Sequence, residues 1–372
     1  MDKVFAYGAA CLKTPPKPQK PAAKSPLPTT GRVRIQDVAR VANVSLSTVS
    51  GVLNSKANVR PETRTRVLQV IAQLGYAPNL FASNLARRRT SLIGIVVSDL
   101  LNPFFAEIAA ALDDEARSRG FQTFLTSTRF DPRQQHEAVR QMLALRVAGV
   151  AMMTSENDPE AYALLEQSRT PAVYLDNTHL APEIGTVHVN KRHGMFLAVR
   201  HLLELGHRSI LLIKNSQSAA TGAPMLSHLE RQLGFNEALH AYDPREVDVQ
   251  IIDEVGEPTA AGLRAVQKAL GQFRFTAVVC MNDLVALGAI RGLQAAGLHI
   301  PNDVSVVGFD NTYLCEFLHP PLTTVASPRK ELANSVLNML LGFVEKEEVP
   351  HEVSLSTELR LRESTTKPPA RN

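Results

Sequence analysis

The sequence predicts an N-terminal all-α headpiece followed by a larger α/β core of two doubly wound parallel-sheet lobes. Three helix patterns occupy residues 33–76, whereas strand and helix patterns alternate from residue 91 to residue 309. Such alternation is typical of parallel sheets whose strands are joined by crossover helices. About ten strand-helix units exceed what one ordinary sheet holds, so we expect two lobes.

The charge of the chain is divided unevenly between these two parts. Residues 1–90 hold 15 Lys and Arg against 3 Asp and Glu, a net charge of +12, and the remaining residues hold 25 against 33, a net charge of −8. A basic terminal region on an acidic body favours binding of a polyanion at that end. A solubilising tail is the alternative, but only +4 of the charge lies in residues 1–30. DNA binding by residues 31–90 is therefore favoured.

Composition and motifs argue against several other classes of protein. No apolar run reaches the roughly 18 residues of a membrane-spanning helix, and residues 1–30, with six prolines and five lysines, lack a secretory pattern. Cys11, Cys280 and Cys315 form neither a CxxC pair nor a disulfide framework. No GxSxG, HExxH, P-loop or dinucleotide-binding motif occurs. We predict a cytoplasmic protein that is not an enzyme and holds no cofactor or metal. Residues 1–31 and 366–372 are expected to be disordered.

The predicted headpiece, residues 32–78, has the pattern of a helix-turn-helix motif. The first helix is expected over Ile35–Val41, and Asn43 in the following turn tolerates a left-handed backbone. Ser45 occupies the N-cap position of the second helix, Leu46–Leu53. Two short helices joined by such a turn are typical of proteins that bind DNA in the major groove.

Short motifs follow one another in a fixed order from residue 33 to residue 362. They are Arg34–Asn54, Thr63–Val67, Leu74–Asn79, Asn102-Pro-Phe-Phe105, Leu205-Gly-His-Arg208, Gly234-Phe235, Asn282-Asp283, Asp303–Asp310 and Pro321–Thr324. This ordered set resembles the lactose/galactose repressor (LacI/GalR) family. The resemblance implies a transcription regulator, most often a repressor, with a core similar to periplasmic sugar-binding proteins. It also implies a homodimer that binds a palindromic operator in double-stranded DNA and responds to a small effector.

For the headpiece, the resemblance implies that the second helix lies in the major groove. The DNA contacts it implies are Arg34, Ser45, Leu46, Ser47, Thr48, Ser50, Gly51 and Asn54. Leu46, Ser47 and Gly51 would face base edges, while Thr48 and Ser50 would contact phosphate. Gly51 stands where many members have an arginine that reads guanine, so direct readout would depend on Leu46 and Ser47. For Arg34, a solvated helix face is the equal alternative.

Residues 79–90 are similar to the family's hinge helix, which orders when a dimer binds DNA. Asn79 would cap this helix, and Ala82, Leu85 and Ala86 would contact DNA. Leu85 matches a leucine that enters the minor groove, where an apolar wedge partly unstacks a base step and bends the duplex. The alternative is that Leu85 packs on the core.

The resemblance also divides the core into its lobes and places the effector between them. The first lobe would comprise residues 91–190 and 325–346, and the second residues 191–324 and 347–365. Ligands in such folds bind at the carboxyl ends of parallel strands. The implied effector contacts are Asp176, Asn282 and Asp310 after strands, Arg231, and Phe104 and Phe105 as an apolar wall. We expect Asp283 and Asp303 to cap helices or loops instead.

The class of effector follows from the same comparison. Glu257-Pro258 stands where relatives often have an aromatic residue that stacks on the ligand, and the chain has no Trp. A flat ring is therefore less favoured than a small sugar, sugar acid or polyol. A transport binding protein is the alternative function for the core, but the basic helix-turn-helix and the absent secretory pattern favour a regulator.

Overall fold

In the computed structural model the chain divides into two units, residues 1–86 and residues 87–372. The structure describes residues 33–53, 58–76, 90–156, 158–178, 180–215, 226–242 and 246–370. The expected disordered segment 1–31, Asn54 and the hinge residues Asn79, Ala82, Leu85 and Ala86 lie outside the described residues.

Three helices form the described part of the N-terminal unit: α1 (Ile35–Ala42), α2 (Leu46–Leu53) and α3 (Pro61–Leu74). Asn43 adopts a left-handed backbone with φ 52° in the turn between α1 and α2. The Ser45 Oγ accepts a hydrogen bond of 3.1 Å from the Thr48 backbone N–H, which caps α2 as predicted. Small aliphatic side chains from all three helices, including Val38, Val49 and Val67, form the core of this unit.

The core unit alternates strands and helices along the chain. Its elements are β1 (Leu92–Val97), α4 (Pro103–Ser118), β2 (Gln122–Ser127), α5 (Pro132–Leu145), β3 (Gly149–Met153), α6 (Pro159–Ser168), β4 (Ala172–Leu175), β5 (Ile184–Val189), α7 (Lys191–Leu205), β6 (Ser209–Asn215), α8 (Leu226–His240), β7 (Asp248–Glu254), α9 (Pro258–Leu270), β8 (Ala277–Cys280), α10 (Asp283–Ala295), β9 (Ser305–Asp310), β10 (Thr323–Ala326), α11 (Arg329–Glu345), β11 (Glu352–Leu355) and β12 (Glu358–Arg360). A short 3₁₀ helix, Tyr313–Glu316, follows β9.

The strands form two six-stranded sheets, one in each lobe. The first has the order β11-β5-β4-β3-β1-β2, and the second has the order β12-β10-β9-β8-β6-β7. All pairs are parallel except β10 with β12, which are antiparallel. The central strands are buried apolar runs, as expected of parallel strands covered by helices on both faces. The predicted fold class of two doubly wound lobes is confirmed.

Three helices of the first lobe begin with the same local signal. Asn102, Asp131 and Asp158 each accept a hydrogen bond from a backbone N–H of the first turn, and each is followed by proline. Proline fits the first helical position because its missing N–H would have no partner there. This signal starts α4, α5 and α6 at the carboxyl ends of β1, β2 and β3.

Two of the expected lobe boundaries are wrong. The expected boundary at 324/325 falls inside β10, which lies wholly in the second sheet. Residues 347–365 were expected in the second lobe, but β11 pairs with β5 and so belongs to the first sheet. The reason is that Glu352–Leu355 alternates exposed and half-buried residues. Such a strand joins whichever sheet offers a free edge, which its own sequence does not specify.

The expected disorder of residues 366–372 is wrong for residues 366–370. The Thr366 carbonyl oxygen lies 2.8 Å from Nε2 of His207 and accepts a hydrogen bond of 3.1 Å from Oγ of Ser305. Two residues earlier, Ser364 is fully buried. These contacts tie the C-terminal segment to the second lobe, although its composition resembles that of a disordered tail. Residues 371–372 lie outside the described residues.

Candidate DNA-binding surface and effector cleft

The start of α2 presents polar and apolar side chains to solvent. Leu46 is 46% exposed, and Ser45 and Ser47 are exposed beside it. The Ser45 Oγ lies 2.7 Å from the Ser47 Oγ and 2.8 Å from the Thr48 Oγ1. A helix N-terminus with hydroxyl groups and one apolar side chain can contact phosphates and the apolar edges of bases.

Gly51 does not face outward, so its expected position at a base edge is wrong. It is buried, and a Cβ added to it would lie 3.2 Å from Cγ2 of Val59. The segment before α3 therefore closes over α2 at this point. A groove beside it is lined by Val44, Ser45, Ser47, Thr48, Gly51, Asn58, Val59, Arg60, Thr63 and Arg66. Arg60 and Arg66 are both exposed and place two cations along this groove.

The remaining described headpiece residues of the predicted DNA contact set have mixed surroundings. Arg34 is exposed at the N-cap of α1, where its backbone N–H donates to Asp37 at 3.0 Å. Thr48 and Ser50 are half-buried. Val49 and Val52 are buried in the headpiece core.

The core holds a cleft between its two lobes at the carboxyl ends of the strands. The cleft encloses about 800 Å³, counting the part open to solvent. It is lined by Asp99, Asn102, Phe104, Phe105, Phe130, Thr154, Ser155, Leu175, Asp176, Lys191, Leu226, Ser227, His228, Arg231, Pro258, Asn282 and Asp310. All six predicted effector residues are therefore brought together here.

Arg231 and Asp310 form a buried ion pair on the second-lobe side of the cleft. An Nη2–Oδ1 distance of 2.9 Å joins them, and their side chains are 7% and 3% exposed. The guanidinium also lies 4.1 Å from the centroid of the Phe309 ring, a cation–π contact. Burial raises the pKa of Asp310, against the opposing effect of the Arg231 charge. The buried Nε of Arg231 has no hydrogen-bond partner within the described protein, so it can donate to a ligand.

Asp176 and Lys191 form a second ion pair in the cleft. Asp176 also accepts a hydrogen bond of 2.9 Å from the Val189 backbone N–H. Lys191 was not predicted as a site residue. It is 4% exposed, and burial lowers its pKa to about 7. A signal existed, because a lysine in the first turn of a helix opposes the helix dipole and calls for a local anionic partner.

Asn282 serves the fold as well as the cleft. Its Oδ1 caps α10 by accepting a hydrogen bond of 2.9 Å from the Val285 N–H. Asp283 is buried and accepts from Thr312 N–H and Thr324 Oγ1, and Asp303 accepts from His299 N–H. Both aspartates thus have the capping and loop roles that we expected.

The apolar wall of the cleft is built by aromatic residues of the first lobe. Phe104 and Phe105 are 5% and 4% exposed and belong to the first-lobe core. Phe105 meets Phe130 edge-on with ring centroids 6.0 Å apart. The pair therefore shapes the cleft from within the core rather than projecting into it.

His228 is a second cleft residue that the sequence analysis missed. It lies one turn before Arg231 on α8, and burial lowers its pKa to about 4, with the Arg231 charge acting in the same direction. It is therefore neutral near pH 7 and can donate or accept a hydrogen bond. The family resemblance covered Gly234-Phe235 and Arg231, but it did not extend to His228.

Within the described ranges, no cluster of three or more His, Cys, Asp or Glu side chains could hold a metal ion. No helix among the described residues is both long and apolar enough to cross a membrane.

Comparison with known proteins gives matches along most of the chain. The profile described as bacterial regulatory proteins, lacI family, matches residues 34–79, and that of a periplasmic binding protein-like domain matches residues 199–365. Catabolite control protein A of Priestia megaterium is 32% identical over 336 residues, which are 90% of this chain and 99% of that protein.

Two solved structures extend the comparison to three dimensions. The lac repressor dimer bound to operator and the anti-inducer ONPF has a TM-score of 0.76 at 29% identity, covering 90% of this chain and all of that one (100%). The transcriptional regulator CelR–cellobiose complex has a TM-score of 0.62 at 30% identity, with coverage of 90% and 100%.

Proposed function

This chain belongs to the LacI family of bacterial regulatory proteins, and we propose that it is a dimeric repressor switched by a neutral polyhydroxy effector. As a family member it is a ligand-responsive, DNA-binding transcription regulator and not an enzyme. One observation carries the proposal: the same chain holds a helix-turn-helix whose second helix has an exposed start and a cleft lined by paired charges.

The DNA-binding part of the proposal rests on the exposed start of α2. Leu46 supplies apolar contact to a thymine methyl or similar base edge, and Ser47 supplies a hydroxyl that can donate or accept. Arg60 and Arg66 supply positive charge to the phosphates along the adjacent groove. Leu85 remains the proposed minor-groove wedge of the hinge.

A selection experiment tests the DNA-binding part. Genome fragments bound by the full chain would be enriched and footprinted, and a palindromic site is expected. Leu46→Ala should weaken binding to that site by roughly 10-fold while binding to random DNA is retained, because a base contact is lost. Leu68→Ala is the matched control, since Leu68 on α3 is similarly exposed at 50%. Equal losses on both DNAs would contradict base reading by Leu46.

Dimer formation follows from the proposed palindrome, because two-fold symmetric DNA is read by two copies of one motif. The solved lac repressor relative is a dimer bound to operator, which supports the same state for this chain. We place its activity in the cytoplasm, where its DNA lies. Light scattering tests the dimer, and a tetrameric mass would contradict it.

The effector part of the proposal rests on charge balance within the cleft. Its two lining cations, Lys191 and Arg231, are each already paired with a carboxylate, that of the half-buried Asp176 and that of the buried Asp310. An anionic ligand would bring a further negative charge into this desolvated site without an unpaired cation to meet it. Hydroxyl groups can instead bridge these pairs and reach the Nε of Arg231. The CelR relative is described with cellobiose, a neutral sugar.

Thermal unfolding of the full chain tests the effector class. We expect at least one neutral sugar or polyol in a panel to raise the midpoint by roughly 5 °C at saturating concentration. Gluconate and glucose 6-phosphate should give no comparable shift. Asp310→Asn should abolish the shift, whereas Asp303→Asn, which changes an exposed aspartate of the second lobe, should keep it. A larger shift with the acids would overturn the neutral assignment.

A further inference from the structure

The segment that follows β9 has an unusual backbone. Asp310 and Asn311 are consecutive non-glycine residues with positive φ, 111° and 53°. Side chains disfavour this region, so such a conformation persists only where surrounding groups hold it. Asp310 is also the carboxylate paired with Arg231 in the cleft. Whatever holds this segment therefore also positions a proposed effector contact.

Arg329, the first residue of α11, holds the two left-handed residues. Its Nη1 donates to the Asp310 carbonyl oxygen at 2.9 Å, and its Nη2 donates to the Asn311 carbonyl oxygen at 2.8 Å. Helix α11 packs against α4 and the first sheet, although the carbonyls belong to the second lobe. Arg329 is thus a contact between the lobes.

Glu107 on α4 completes this contact from the first lobe. Its Oε2 lies 3.0 Å from Nη2 of Arg329, and its Oε1 accepts a hydrogen bond of 3.0 Å from the Tyr313 backbone N–H. The two side chains of the ion pair are 22% and 21% exposed, so water screens them only in part. One carboxylate of the first lobe therefore binds both the arginine and the backbone of the second-lobe segment.

We propose that Glu107 is a positioning residue that links Asp310 to closure of the cleft, acting through Arg329 and the Tyr313 N–H. Its two oxygens set the position of the segment 310–313 relative to the first lobe. Opening the lobes would break both contacts of Glu107, with Arg329 and with the Tyr313 N–H. The effector role of Asp310 rests on the proposed function, whereas the link between the lobes does not.

The distance between the lobes in the full chain tests this directly, without effector or DNA. Gln141 on α5 and Gln267 on α9 are exposed helical positions, one in each lobe. Both would be changed to cysteine in a Cys11→Ser background and spin-labelled, since Cys280 and Cys315 are buried. Labelled chain would be diluted with unlabelled chain, so that electron–electron double resonance reports only distances within one chain.

The expected result is graded with the chemistry removed. Glu107→Ala loses both contacts and should raise the ratio of longer to shorter distances by roughly five- to thirty-fold. Glu107→Gln keeps an oxygen for the Tyr313 N–H but loses the charge that meets Arg329, so roughly a two- to fivefold increase is expected. A residue with only a general structural role would not give this order.

The matched control is Glu115→Gln, on the same helix. Glu115 is 27% exposed and pairs with Arg119 in the same lobe, so its loss should leave the distance distribution unchanged. If Glu107→Ala left that distribution unchanged as well, the proposed link would be wrong, even if the cleft binds a sugar. Conversely, a cleft that binds no sugar would leave the link intact while refuting the effector assignment.

Discussion

The headpiece surface and the effector cleft solve recognition in opposite ways. On the headpiece, the contacting groups are hydroxyls and one leucine at the exposed start of a helix, and their nearest polar partners are only two or three residues away. In the cleft, Arg231 and Asp310 are 79 residues apart in sequence and almost fully buried. The headpiece surface is formed by neighbours in sequence and is solvated, whereas the cleft is formed by residues distant in sequence and is desolvated.

This difference determines what a substitution can reveal. A solvated side chain of the headpiece can be removed at little cost in stability, so its loss reports on DNA binding. A charge of the cleft cannot be removed alone, because its partner is left buried without compensation. A substitution of a paired charge in the cleft therefore lowers stability as well as affecting ligand binding, whereas Leu46→Ala on α2 should affect DNA binding alone.

The largest effect is expected for Arg231→Ala. The substitution leaves the Asp310 carboxylate buried without its cation, so we expect a loss of roughly 3–5 kcal/mol in the free energy of unfolding. Urea unfolding of the full chain, followed by circular dichroism, measures it. Arg192→Ala is the control, since Arg192 and Glu237 are 52% and 49% exposed and such pairs contribute under about 1 kcal/mol. Equal losses for both variants would show that the buried pair of the cleft contributes no more to stability than an exposed pair.

A smaller effect is expected from His228 and depends on pH. Burial lowers the pKa of His228 to about 4, below the ordinary value of about 6.5. Between these values the unfolded chain binds a proton that the folded chain does not. Stability is therefore full above about pH 6.5 and falls as the pH drops toward 4.

His228→Gln should remove part of this loss. We expect the decrease in unfolding free energy between pH 7.5 and pH 4.5 to be smaller than in the parent chain by roughly 2 kcal/mol. His240→Gln, at an exposed position of the same helix, serves as the control and should follow the parent. A His228 variant with the parent's pH dependence would show that the imidazole is not shielded in the folded chain.

The sequence predicts the headpiece surface more fully than the cleft. The headpiece features depend on neighbouring residues, whereas the cleft is formed by residues distant in sequence. The bounds of the second helix, the Ser45 cap and the Asn43 turn depend on neighbours along the chain and were confirmed, whereas the first helix ends at Ala42, one residue later than predicted. In the cleft, motifs with family resemblance identified Arg231 and Asp310. Lys191 and His228 lie outside the family motifs, and their burial depends on tertiary packing that these motifs do not report.

Errors of the sequence analysis have the same origin. Gly51 was placed at a base edge from the family resemblance, but its burial depends on Val59, beyond the end of α2. The lobe of β11 depends on the free edge of β5 rather than on Glu352–Leu355. Neither partner could be chosen from local periodicity.

A modest effect is expected for Ser45→Ala in the headpiece. The Oγ of Ser45 caps the first turn of α2, and loss of such a cap costs about 1 kcal/mol. Hydrogen exchange of the buried Val49 and Val52 amides measures this local loss. Ser47→Ala is the control, because the Ser47 hydroxyl contacts the Ser45 Oγ, whereas the Ser45 Oγ itself accepts the Thr48 N–H; it should weaken DNA binding with little change in exchange. If Ser45→Ala changed the exchange no more than Ser47→Ala does, water would be replacing the Ser45 Oγ as the acceptor for the Thr48 N–H.

The smallest effect is expected for Gly51→Ala. Gly51 is the buried residue among the predicted DNA contacts on α2. Alanine within a helix is favoured over glycine by up to about 1 kcal/mol. Its Cβ would lie 3.2 Å from Val59 Cγ2, a contact relieved by a shift of a few tenths of an ångström. Val59 is only half-buried, so we expect a net gain of about 0.5 kcal/mol in headpiece stability by the same exchange measurement. Gly75→Ala provides the opposite case, with open space but a φ of 61°, and should lose about 1 kcal/mol. A loss at Gly51 as large as that at Gly75 would show that Val59 cannot shift to make room for the Cβ. The segment before α3 would then be packed as rigidly as the cleft.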